Sequence, residues 1–195
     1  QGYGNTTFLA HAAAGDDYPD FGVNSGWAGY RATKGLSSKF FSGNTTTTND
    51  KRALFTTSKF RIDPVENEID DVSNFANGVH VKKWTNNYTS GAKGNDITGN
   101  FVDTDFPIFR LSEMYLIYTE AVLRGGTGDR NLALSYINKI RERAYGSASG
   151  NISANDLTLQ FILDERAREL YWEGHRRTDL IRFDQLTTST YLWPW

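Results

Sequence analysis

From residue 106 onward, apolar side chains recur at helical spacing; before it they do not. Leu111, Met114, Tyr115, Tyr118 and Val122 share one face of a helix that stops at Gly125-Gly126. Asp129 caps a second helix, with Ala133, Tyr136, Ile137, Ile140 and Ala144 in one stripe. The loop between them is short, which predicts an antiparallel hairpin close in size to a tetratricopeptide unit. Ser153 and Asp156 read as an acidic variant of the capping box opening a third helix. That helix turns Leu159, Ile162, Leu163, Ala167 and Leu170 inward and ends at Gly174, and residues 177–186 make a shorter fourth.

Upstream, residues 54–62 (LFTTSKFRI) and 79–84 (VHVKKW) have the alternating, β-branched and aromatic character of short strands, and predict a small β-hairpin. The acidic stretch 63–71 between them reads as a solvated turn, 35–41 as a short helix and 43–49 as a polar loop. Of the 18 glycines, 12 precede Phe106, yet so do 14 of the 27 aromatic residues. Glycine supplies turns, whereas a disordered segment would lack the aromatics, so ordered loops carrying rings are expected. The predicted architecture is mainly α: a loop-rich part over 1–105 facing a ligand and a helical part over 106–195, together one domain.

Charge changes this picture at one place. The run 164–183 (DERARELYWEGHRRTDLIRF) sets Glu165, Glu169 and Glu173 one helical turn apart. Like charges at that spacing repel by roughly 0.2 to 0.5 kcal/mol per pair, so the row needs cations from elsewhere. Arg166 and Arg168 flank it, Arg176, Arg177 and Arg182 follow Gly174 beside Asp179, and Arg141 and Arg143 end the preceding helix. The run therefore reads as an interhelical charge clamp. As a catalytic pair it is poorly suited, because arginines beside each carboxyl depress its pKa, whereas a general acid needs it raised.

Other chemistry is sparse. A formal net charge of -2 gives no basic field for nucleic acid. With no cysteine there is no thiolate metal site, disulfide or cysteine nucleophile. No apolar run approaches the ~18 residues that span a bilayer, and residues 1–18 show no export leader, which places any such signal upstream or already removed. His11, His80 and His175 lie far apart without zinc spacing, and Asp16, Asp17 and Asp20 read as turn acids rather than a calcium loop. No metal or cofactor is expected. The sequons at Asn5, Asn44, Asn87 and Asn151 follow from a chain rich in Asn and Thr.

Residues 106–121 (FPIFRLSEMYLIYTEA) resemble the arginine-led helix of the SusD/RagB outer-membrane lipoproteins. Ala133, Ile137, Asn138, Ile140, Arg141 and Arg143 are similar to its partner helix. The charged run resembles the family's ER-x-x-EL-x-x-EG-x-R-x-x-DL-x-R pattern at Glu165, Arg166, Glu169, Leu170, Glu173, Gly174, Arg176 or Arg177, Asp179, Leu180 and Arg182. Upstream, Trp27 to Thr33 resembles its Trp/Gly-rich turn, Asp50 and Arg52 its Asp-x-Arg step, and Lys83-Trp84 its Lys-aromatic strand. The resemblance covers most of residues 25–186. It implies a SusD-like fold and a non-enzymatic, cell-surface glycan-binding subunit that captures oligosaccharide for a SusC-like TonB-dependent transporter in the outer membrane. Family members are longer, so the expectation is a C-terminal portion, with the lipid-bearing cysteine outside these residues.

Sugars are held by flat apolar faces against a pyranose ring and by planar polar groups on its hydroxyls. Residues 11–31 offer Tyr18, Phe21, Trp27 and Tyr30 among Asp16 and Asn24, and form the first candidate binding loop. Tyr18 and Phe21, bracketed by acids and Pro19, are expected in the open, while Trp27 and Tyr30 could equally plug the loop onto the helices. Tyr88 is an outlying candidate; Trp84 is expected in the core. Two rival readings are a tetratricopeptide-like protein-interaction module, which would expose Tyr118 and Tyr136 in a groove, and a glycoside hydrolase, which would need two carboxylates in one cleft.

Overall fold

The computed structural model describes residues 13, 18–41, 47–55, 68–95, 102 and 104–188. The chain forms two compact units, residues 1–46 with 54–106 and residues 47–53 with 107–195. The segment 47–53 thus belongs with the helices although loop-rich sequence flanks it on both sides.

Among the described residues of the first unit, regular structure is limited to a 3-10 turn at Tyr18–Phe21 and a single helical turn, α1, at Lys34–Ser37. After α1 the chain tightens through Phe40 and Phe41, which pack their buried rings on Phe55 at centroid distances of 5.4 and 5.9 Å. The expected β-hairpin does not appear among the described residues. Among the described residues there are only isolated antiparallel bridges, Ala32 with Val79, Phe55 with Val81 and Asn87 with Lys93. Val79 and Val81 pair with different segments, so no ladder grows, and His80 between them is buried as well. Alternation in this stretch does not mark one wet and one dry face. Residues 56–62 of the other expected strand lie outside the described residues.

In the second unit, α2 (Leu111–Leu123) and α3 (Arg130–Tyr145) make the expected hairpin. Asp129 caps α3 by accepting from the Asn131 N–H at 2.7 Å, and Gly146, at φ 71°, ends it in the left-handed region. Leu116, Ala133, Ile137, Ile140, Leu157, Ile162 and Leu170 form the core that α4 (Leu159–Leu170) closes. Thr158, accepting from the Phe161 N–H, caps α4; Ser153 and Asp156 instead form a separate turn before it. The helix ends at Leu170 rather than Gly174, because Tyr171 is extended and Trp172 and Gly174 have positive φ. A last helix, α5 (Arg176–Arg182), packs on α4 through Leu163 and Leu180, and Asp184 at φ 55° follows its end.

The face that α2 buries matches the expected one only in part: Tyr115, Tyr118 and Val122 pack against the core, but the face is rotated. Glu113, Leu116, Thr119 and Glu120 are inside, whereas Leu111 and Met114 are exposed. Charge sets the rotation: Arg110 reaches Glu169 and Glu173, and Glu120 accepts from Arg124 and Arg182. Turning α2 to bury Leu111 would pull these charged groups away from their partners.

Candidate functional site

In the second unit, a buried lattice of acids and arginines joins three helices to the segment 47–53. Glu165, fully buried on α4, pairs with Arg52, Arg141 and Arg168, each at 2.8 Å. Glu169, one turn on, meets Arg52 at 3.1 Å and both Arg110 and Arg143 at 2.5 Å. Glu173 lies beyond the helix end but receives a two-pronged contact from Arg110, at 2.6 and 2.8 Å. Arg52 is itself locked: its Nε and Nη2 donate to both oxygens of Asp50 at 2.9 and 2.7 Å, and its carbonyl accepts from the Tyr171 hydroxyl at 2.6 Å.

A second group lies at α5. Arg166 Nε sits 2.8 Å from Asp179 Oδ1, Arg182 donates to Asp179 at 2.8 Å, and Arg182 and Arg124 both reach Glu120. The Arg166 contact is an ion pair outside hydrogen-bond alignment, since Arg166 Nε and Nη1 have no hydrogen-bond partner among the described residues. Arg176 donates to the Leu163 carbonyl at 3.2 Å, and Arg177 is exposed on the outer side of α5. The turn at Gly174, with positive φ, separates both arginines from the glutamate row.

Burial is the largest single influence on Glu169 and pushes its carboxyl up, but the Arg110 hydrogen bond and the charges of Arg110, Arg143 and Arg52 together bring it down to about 2. Glu165 is likewise pushed up by burial and pulled below its ordinary range by Arg52, Arg168 and Arg141. Arg52, disfavoured as a cation by burial, is nonetheless raised by Asp50, Glu165 and Glu169. All these groups are held charged.

In the first unit the candidate ligand residues sit on segments sewn together by hydrogen bonds. The Phe21 carbonyl accepts from the Asn86 N–H at 2.7 Å, the Asn86 amide donates to the Gly22 and Asn95 carbonyls, and the Asn87 amide donates to the Asp20 carbonyl at 3.1 Å. Lys82 pairs with Asp20 at 3.0 Å, and Lys93 donates to the Asn24 amide oxygen. Gly22 has φ 72°, and a Cβ there would lie 2.4 Å from the Asn87 side-chain oxygen, so the two segments require glycine at their closest approach. From this frame the chain runs on to Trp27 and Tyr30, held at Ala28 by Ala13 and at Ala32 by Val79.

Trp27, 38% exposed, and Tyr30 stand open, as do Asn24 and Tyr88, the last 59% exposed at a tight turn closed by Gly91. Tyr18 is partly buried. Phe21 departs from expectation: it is fully buried. The surrounding acids and Pro19 report the open side of the 3-10 turn, but its last residue points inward with Val23. Trp84 is partly covered, its ring 6.2 Å from Phe106. Asp16, with Asp17 and His11, lies outside the described residues. Among the described residues no three His, Cys, Asp or Glu side chains are grouped to hold a metal. Tyr118 and Tyr136 are packed rather than displayed: Tyr136 stacks on Tyr115 at 4.2 Å and meets Tyr118 edge-on at 5.3 Å.

Sequence reasoning did not place Arg110 among the clamp residues, although it is central to the lattice. Its signal was its position just ahead of a helix, where an arginine has no capping role and is free to cross to another element. Arg52 and Asp50 were visible only as a motif, without a partner.

Fold and site together define a class: a helical-hairpin protein whose third helix is braced by buried arginine–glutamate pairs, accompanied by a loop-rich unit that displays aromatic rings. The SusD family model (SusD_RagB) matches residues 66–192, and the chain belongs to that family. It is 41% identical over 128 residues to starch-binding protein SusD of Bacteroides thetaiotaomicron, covering 66% of this chain and 21% of that protein. It is 31% identical to SusD-like protein P38 of Formosa agariphila, covering 51% of this chain and 23% of that one. A solved SusD superfamily protein from Bacteroides thetaiotaomicron superposes on 91% of this chain and 33% of its own, with a TM-score of 0.51 at 25% identity. The chain thus spans between a fifth and a third of the length of these relatives.

Proposed function

We propose that this chain belongs to a cell-surface glycan-binding subunit of a TonB-dependent uptake system, one that captures oligosaccharide without chemistry and passes it to a SusC-like transporter in the outer membrane. The observation that carries the reading is the display of Trp27, Tyr30 and Tyr88 on hydrogen-bonded loops beside Asn24. Flat rings with amides nearby suit a sugar's C–H face and its hydroxyls. The name of the relative SusD, a starch-binding protein, favours the same ligand class. Attachment to the membrane would be through a lipid outside these residues.

A binder fits the charged run better than a hydrolase does. Glu165, Glu169, Glu173 and Asp179 are buried and ion-paired, and Glu165 and Glu169 are held ionised, whereas glycoside cleavage needs one protonated carboxyl beside an open cleft. The packing of Tyr136 against both Tyr115 and Tyr118 weighs against a protein-binding groove built on those rings.

Open rings give shallow contacts, so single-site affinity should be modest and gain from multiple contacts along a polymer. Isothermal titration of the intact protein, first with starch-derived oligosaccharides and then with a wider glycan panel, tests the reading. Trp27→Ala and Tyr88→Ala are each expected to weaken binding by roughly tenfold, about 1.4 kcal/mol. Absence of heat with every glycan, or full affinity in both variants, would refute it.

A further inference from the structure

The two described segments that carry the candidate ligand residues are rich in cations. Along 79–95 the charged side chains are Lys82, Lys83 and Lys93, with no acid; along 18–31 they are Asp20 and Arg31. The chain as a whole has a formal net charge of -2, so this excess is local. Most of it is already taken up. Lys82 pairs with Asp20 at 3.0 Å, Lys83 lies over the Trp84 ring at 5.7 Å from its centroid, and Arg31 donates to the Val72, Asn74 and Asn77 carbonyls. Lys93 differs: among the described residues its ammonium meets a neutral group, the Asn24 amide oxygen, and no carboxylate.

That bond decides what the pair offers a ligand. An ammonium has donors and no acceptor, so the Asn24 amide must turn its oxygen to Lys93 and its NH2 away. With the oxygen engaged, Asn24 and Lys93 together present chiefly N–H groups. A sugar hydroxyl both donates and accepts; a carboxylate or sulfate ester accepts without donating, and its charge strengthens each bond it receives. Backbone contacts fix the two positions. The Asn86 amide donates to the Gly22 carbonyl at 3.1 Å and to the Asn95 carbonyl at 3.0 Å, each two residues from one member of the pair. Lys93 is also bridged to Asn87, at the foot of the turn that carries Tyr88. An anion would meet donors already in place, at little ordering cost.

Resting on the glycan reading above, we propose that the captured glycan is acidic, a uronate- or sulfate-bearing oligosaccharide, and that Lys93 with Asn24 binds its anionic group. Stacking on the aromatic rings serves any glycan, and Lys93 adds the discrimination. Starch, in the name of the relative SusD, is a neutral polymer; the ligand of this chain differs from it in charge.

Isothermal titration of the intact protein against a glycan panel tests this. The acidic probes are oligogalacturonate and sulfated galactan oligosaccharides; the neutral ones are the first carboxyl-reduced, the second desulfated, and maltoheptaose. At least one acidic probe should bind about fivefold or more tightly than its neutralised counterpart and than maltoheptaose. Lys93→Gln, long enough to keep the Asn24 bond, should bring that ratio below about twofold, whereas Lys93→Arg should preserve it. A side chain that merely braced the loops would change acidic and neutral binding alike. Equal or tighter binding of the neutral probes, or a ratio unmoved by Lys93→Gln, would overturn the proposal and leave glycan capture standing. Absence of heat with every glycan, acidic or neutral, would overturn both.

Discussion

Arg52 enters the helical unit from a seven-residue segment and meets Glu165 and Glu169 where water does not reach them. Taking such charges from water costs several kcal/mol per ion, and the mutual attraction of a well-aligned group offsets it. The structure therefore depends less on the lattice as a source of stability than on its completeness. Arg52→Met keeps most of the side-chain volume but leaves Asp50, Glu165 and Glu169 each short of a cation. The expected loss is about 3 to 5 kcal/mol, read as a lower urea midpoint with an unchanged slope. Arg110→Lys tests geometry at constant charge: an ammonium cannot reproduce the two parallel bonds to Glu173 together with the contact to Glu169. It should destabilise clearly, though less than Arg110→Met. If Arg110→Lys matches the native protein, the fork geometry is irrelevant and only charge counts.

At the scale of elements, helix starts discriminate between two sequence readings of the same stretch. Thr158 holds the Phe161 N–H, so Thr158→Ala should cost about 1 kcal/mol; Ser153→Ala, which alters only an exposed turn, should stay within about 0.5 kcal/mol. The reverse order in thermal unfolding would return the cap to Ser153. The same comparison shows what periodicity can and cannot carry. The α2–α3 hairpin was legible because Ala133, Ile137, Ile140 and Ala144 report burial through spacing alone, and Asp129 and Gly146 mark the ends. The rotation of α2 was not, because it is set by arginines on other elements, which outweigh the exposure of Leu111 and Met114. Nor could spacing along a helix reveal Arg52, which lies 113 residues from Glu165. In the loop-rich unit Trp27 and Tyr30 had no periodic context at all, and their exposure follows from backbone anchors at Ala28 and Ala32 that only the fold displays.

For the molecule as a whole, the lattice gives stability a direction in pH. The Glu169 carboxyl titrates at about 2 in the folded chain against an ordinary value of 4.5, so folding binds its ionised form preferentially. A group depressed in this way contributes stability that is present above its unfolded value and is lost as pH falls through its folded one. The window is therefore from about pH 4.5 down to about 2, and for Glu169 alone the gap corresponds to about 3 kcal/mol. Glu165 and Glu120 are shifted in the same direction by their own arginines and deepen the loss. The arginines act oppositely in sign but far from this range: Arg52, Arg110 and Arg182 are raised above the ordinary arginine value by their carboxylate partners, so their contribution is intact throughout the acid and neutral range. Urea titrations at pH 7, 5, 4 and 3 should thus give nearly equal stability for the first two and a steep fall over the last two. In Glu169→Gln the slope between pH 4 and 3 should be shallower, even though the variant is less stable at pH 7 because its arginines have lost a buried counter-charge. An acid limb equally steep in Glu169→Gln would move the acid sensitivity to other groups and separate the lattice from the pH response.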